Sequence, residues 1–199
     1  MNSLTCVSLL VVLVFAGCTT ASYVAPDKSE VTVEAYSRVV DKPFDQAWSA
    51  LMQFAGSAYF DIQQFEKQSG LLVLSFVGST PGEYITGGQL SLRGVVHFDG
   101  DFVDYCVSRY NGTLEDRVNV IVAPVDSGRT RVTVRAHYVF TCGNANMGPD
   151  SWTFDSGTSD THETLIYSGI GPLTRTLKPT YKFETSVLDA VEKRVAPQR

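Results

Sequence analysis

The chain has 199 residues, 44% hydrophobic and 11% aromatic, with 16 Lys and Arg against 21 Asp and Glu for a formal charge of −5. This composition excludes a disordered or low-complexity chain and suits one globular domain with a sizeable core. The net acidic balance argues against nucleic acid as the main partner and against adhesion to anionic lipid by charge.

Residues 1–17 carry no Lys, Arg, Asp or Glu, and the apolar run from Val7 to Ala16 is shorter than the ~20 residues that cross a bilayer core. It reads as a secretory leader. The run ends in Phe15-Ala16-Gly17-Cys18. This string resembles the lipobox of bacterial lipoproteins, where two small residues admit a dedicated peptidase and the thiol receives lipid. The resemblance implies cleavage before Cys18, diacylglycerol on its sulfur and an acyl chain on its new amino group. Two or more chains anchor stably where one does not, each buried methylene contributing about 0.8 kcal/mol. Thr19 after the cysteine, rather than Asp, resembles the pattern sorted to the outer membrane of Gram-negative bacteria. The alternatives are an ordinary signal peptide that holds a Cys and a buried apolar element.

Of the four cysteines, Cys6 would leave with the leader and Cys18 would be consumed by lipid. Cys106 and Cys142 remain as a pair in an oxidising compartment. A bridge between them closes a loop of about 36 residues and contributes about 4 kcal/mol in the chain-entropy model. Two free core thiols or half of a metal site are the competing readings. With three His in the chain and no Cys-x-x-Cys, zinc is poorly supported.

Residues 18–30, rich in small and polar side chains and interrupted by Pro26, read as an acylated cysteine and flexible tether; residues 31–199 form the single domain. A tether of twelve flexible residues spans about 20 Å. Alternation from Val31 predicts a strand to Val40, and Asp41-Lys42-Pro43 predicts a capped helix start. Phe44, Ala47, Trp48, Leu51 and Ala55 then form one apolar helical face, and Gly56 is the expected stop. Tyr59 to Phe65 and Leu71 to Val77 predict a hairpin across a polar turn. Leu90 to Phe98 and Phe102 to Ser108 predict a second about Asp99-Gly100-Asp101.

Val118, Val120 and Val122 alternate with polar residues, as do Val132, Val134, Ala136, Tyr138 and Phe140 beyond the turn Asp126-Ser127-Gly128. Such alternation marks an antiparallel sheet with one packed and one wet face; Arg131, Thr133, Arg135 and His137 fall on the wet side. From Gly143 to about Lys178 no period survives, so a long loop is expected, functional or mobile in kind. Pro179-Thr180 opens a terminal helix with Phe183, Val187, Ala190 and Val191 on one face.

The expected fold is α+β: one domain with an antiparallel curved sheet, one N-terminal amphipathic helix and one at the C-terminus. This order resembles helix-grip folds. The unit from Val39 to Trp48 and on through Gly70-Leu-Leu-Val-Leu-Ser75 also resembles envelope lipoproteins such as the C component of the β-barrel assembly machinery. The resemblance implies an architecture and no functional residue.

Phe154-Asp155-Ser156-Gly157-Thr158 resembles the Asp-Ser/Thr-Gly turn of aspartic proteases, which would make Asp155 an acid/base sharing a proton with a second carboxylate. The chain holds no second such turn, and Ser, Gly and Asp also build ordinary turns. Asp160, His162 and Glu163 have close metal-ligand spacing but lack a second cluster, and Ser168-Gly169-Ile170-Gly171 lacks the context of a dinucleotide site. No metal or cofactor is expected. Trp48 and the phenylalanines would line an apolar pocket under the terminal helix in a carrier or sensor of a small apolar molecule; the stronger reading is that they fill the core, as aromatics at helical spacing normally do. The function expected from the sequence is a non-catalytic binding or structural accessory of an envelope assembly. It would be lipid-anchored at the outer membrane through Cys18, face the periplasm, and contact other envelope proteins by a sheet edge or by residues 143–178.

Overall fold

Two long strands organise the molecule, and their alternating sequence explains why. β8 (Thr113–Pro124) and β9 (Thr130–Cys142) pair antiparallel from Thr113↔Thr141 to Pro124↔Thr130. Leu114, Val118, Val120 and Val122 share one buried face with Val132, Val134, Ala136, Tyr138 and Phe140. Glu115, Arg117, Arg131, Arg135 and His137 occupy the exposed face. The computed structural model describes residues 20–27, 32–58, 60–78, 80–94, 96–143, 149–164 and 173–196; Cys18 and the apolar run before it, read above as a leader, lie outside them.

β4 (Leu71–Gly78) extends the sheet beyond β8, and β3 (Asp61–Glu66) forms its edge, with a register shift between Ile62 and Gln64. The predicted hairpin turns through Lys67–Gly70. Gly70 has φ 68°, its carbonyl accepts from the Val122 N–H at 2.8 Å, and a Cβ there would lie 2.0 Å from the Val122 oxygen. Only glycine fits both demands. On the far side of β9, β2 (Ser37–Val40) pairs with its first residues and β10 (Asp150–Asp155) with its last.

The helices α1 (Phe44–Ser57) and α3 (Lys182–Val195) pack on one another and over the buried face of this sheet. α1 buries Ala47, Trp48, Ala50, Leu51 and Ala55, as its periodicity requires. Its N-cap is Pro43 with no side-chain cap from Asp41, and Gly56 lies one residue inside its end. α3 opens after Tyr181, which has φ 62°, because Pro179 is still in a strand. The fold is thus α+β, with antiparallel pairing throughout.

Two small sheets complete it. One has the order β1 (Thr20–Val24), β6 (Gln89–Arg93), β7 (Phe98–Asp101); the other has β11 (Asp160–Thr164), β12 (Leu173–Pro179), β5 (Ile85–Thr86). A third helix, α2 (Phe102–Tyr110), follows β7 directly.

Four expectations are corrected here. Thr20–Val24 is a paired strand rather than part of a flexible tether. Val33–Ala35 is a 3-10 turn, so the strand begins only at Ser37. Phe102–Ser108 is helical, because the Asp101 carboxylate caps the Val103 N–H at 2.8 Å while also holding the Gly87 N–H and the Thr86 hydroxyl. Within the expected loop, residues 150–155, 160–164 and 173–179 are strands.

Candidate functional site

The Asp155 turn divides its side chains between the two faces of the sheet. The Asp155 carboxylate meets the His137 ring nitrogen at 2.7 Å on the exposed face. Ser156 turns inward and donates to Glu184 Oε1 of α3 at 2.6 Å. Gly157 has φ 92°, and its N–H donates to the Tyr181 hydroxyl at 3.0 Å. Asp155 therefore partners an imidazole, whereas the protease resemblance asks for a second carboxylate.

Glu184 anchors a buried polar cluster that the sequence did not disclose. Tyr138 donates to the same Oε1 at 3.0 Å. Asp116, buried in β8 directly opposite Tyr138, brings a second carboxyl close enough for the two acids to repel. Burial pushes Asp116 up to about 7 against the pull of the Phe76 backbone N–H, and the Glu184 charge adds to the rise. Burial also raises Glu184, opposed by its bonds from Ser156 and Tyr138. One signal was legible: Asp116 occupies the inward phase of a strand whose other inward residues are Leu114, Val118, Val120 and Val122.

Asp160 accepts from the Thr153 N–H at 2.9 Å, and His162 stacks on Trp152 with ring centroids 4.5 Å apart. Glu163 points to the opposite side of its strand. Among the described residues no three His, Cys, Asp or Glu side chains gather as a metal site. Ser168–Gly171 lies outside the described residues. Trp48 is buried and stacks on Phe44, and beside α3 the rings of Phe60, Phe76, Tyr84 and Phe183 lie 5.2–6.3 Å apart, packed on one another. An open cleft of about 400 Å³ and mixed lining lies between the end of β1 and the Asp155 turn, bounded by Pro26, Asp27, Thr158, Thr176, Lys178 and Tyr181 among others.

Cys106 of α2 and Cys142 at the end of β9 meet at disulfide distance, with Cα atoms 5.5 Å apart. They pin α2 against the sheet. α2 folds back along β7, so that the Tyr105 ring lies 5.0 Å from Phe98 and 5.6 Å from Tyr110. The start of β1 lies at the same end, Thr20 opposite Arg93 and Leu92 opposite Phe98. Arg93 pairs with Asp99 at 3.1 Å and touches the His97 ring at 3.3 Å. One end of the molecule thus carries the N-terminal strand, two exposed arginines (Arg93 and Arg109) and several aromatic rings.

No described helix is long and apolar enough to cross a membrane. No protein-family model, curated protein or solved structure matches this chain.

Proposed function

We propose that this chain is an outer-membrane lipoprotein of a Gram-negative envelope, anchored through acylated Cys18, facing the periplasm and acting by binding as an accessory of an envelope assembly. The observation that carries the reading is the string Phe15-Ala16-Gly17-Cys18 closing a charge-free apolar leader. Two features support it. The Cys106–Cys142 pair suits an oxidising compartment. β3 leaves one edge unpaired among the described residues, where Ile62 and Phe65 are 40% and 63% exposed, and such an edge can take up a strand from another chain.

The mechanism is positional: the anchor fixes the domain at the membrane and the sheet edge meets the partner. The test is intact-mass measurement of the protein from native membranes beside a Cys18→Ala variant, with crosslinking of the native protein. Acyl mass on the mature chain, its loss together with membrane association in the variant, and crosslinks to envelope proteins are expected. A soluble, unmodified protein that crosslinks to nothing overturns the reading.

A further inference from the structure

We infer that the end of the molecule formed by the start of β1, the β6–β7 connection and the end of α2 is seated on the phospholipid headgroups. The inference rests on acylation of Cys18 as proposed above. One residue, Thr19, separates Cys18 from Thr20, the first residue of β1, and each of the two steps of extended chain covers at most about 3.6 Å. Thr20 therefore lies within about 7 Å of the lipid-bearing residue. The headgroup region of each leaflet is itself about 5–7 Å deep. There is no slack to lift the domain away, because Thr20 is already paired with Arg93 and Tyr23 is bonded to Thr176 of β12.

The side chains at this end have the chemistry of a membrane interface. Arg93 and Arg109 are exposed, Val96, Phe98 and Tyr110 are half-buried, and His97 is exposed between Arg93 and Phe98. Guanidinium groups bind lipid phosphates, and aromatic rings with one apolar and one wet side settle at headgroup depth. The local charge differs from that of the whole chain: Asp99 offsets one arginine through its pair with Arg93, and Arg109 forms no ion pair within 4 Å among the described residues. β8 starts two residues after Asn111, the C-cap of α2, and runs for 12 residues to the Asp126–Arg129 turn. That turn is accordingly held up to about 40 Å from the seated end.

The experiment uses the full acylated protein in vesicles of phosphatidylethanolamine and phosphatidylglycerol, with a fluorophore on one added cysteine, His97→Cys or Ser127→Cys. The quencher is a headgroup-spin-labelled lipid, and intact mass on the same sample reports acylation. Quenching at position 97 at least about threefold greater than at 127 is expected, since the two sites differ in height by up to about 40 Å. Inserting a twenty-residue Gly-Ser linker between Cys18 and Thr20 should reduce that contrast while leaving the acyl mass in place. Equal quenching at the two positions of an acylated protein overturns the seat and leaves the anchor standing. Absence of acyl mass overturns both.

Discussion

Asp116 is a carboxyl where the strand pattern calls for an aliphatic residue, and its environment gives it a share in the pH dependence of stability. Its folded value is raised from 3.8 to about 7 by burial first and by Glu184 as well. Between those values this group binds more protons in the folded protein than in the unfolded chain, so its contribution to stability falls as pH rises from about 4 to about 7 and stays low above. Asp116→Asn should flatten that fall and gain about 2–4 kcal/mol at pH 8. Urea denaturation at pH 4, 6 and 8 checks it; an unchanged slope in the variant contradicts the assignment. The alternation of β8 made the position of Asp116 legible. Its partner Glu184 was hidden, because a glutamate in the first turn of a helix has an ordinary solvated role. Asp155 was legible as a turn residue, but nothing in the sequence told that His137 would be its neighbour.

At the scale of elements, the clearest reading came from strands with one wet face and helices with one apolar face. α2 escaped because Phe102, Val103, Tyr105 and Cys106, though at helical spacing, cover little more than one turn of a nine-residue element, and the Asp101 carboxylate that caps the Val103 N–H is itself held by Thr86 and Gly87 earlier in the chain. β12 escaped because its buried phase holds Arg175, which lies over the Phe102 ring at 4.6 Å and donates to the Leu173 carbonyl at 3.0 Å. Read as a charge, it conceals the alternation that Leu177 continues. β1 escaped because small polar residues read as linker when their partner strand is 65 residues on at the nearest pair, Val24 with Gln89. The Cys106–Cys142 pairing was legible by elimination, and its consequence can be measured. Closing a 36-residue loop over the β8–β9 hairpin should contribute about 2–4 kcal/mol. The double variant Cys106→Ser/Cys142→Ser is expected to melt well below the oxidised protein. A melting temperature that neither reductant nor the double variant lowers would show that the loop is not covalently closed.

For the molecule as a whole, the buried residues form one contiguous cluster, from Trp48 and Leu51 of α1 through the β8–β9 hairpin to Phe102, Trp152 and Leu177. The two small sheets share this core and should not melt separately. The two tryptophans sit in different parts of it, Trp48 beneath α1 and Trp152 beside α2 and β11. Trp48→Phe and Trp152→Phe variants therefore each leave one reporter. Within each variant, tryptophan fluorescence and far-UV circular dichroism are expected to give one coincident unfolding transition; a separate early step seen by Trp152 alone would divide the molecule in two.

The position of β1 also decides how the body would meet a mechanical load. Any tension along the chain N-terminal to Thr20 enters at the first rung of a five-residue ladder, opposite Arg93. A pull across the sheet peels these rungs one at a time, whereas a pull along the strand strains all five together. Behind them the Tyr23 hydroxyl, bonded to both the N–H and the carbonyl of Thr176, is the catch that must open before force reaches the core. Release of β1 would free a strand of five residues, about 17 Å of slack, and so act as a short extensible leash while the disulfide-pinned hairpin stays folded.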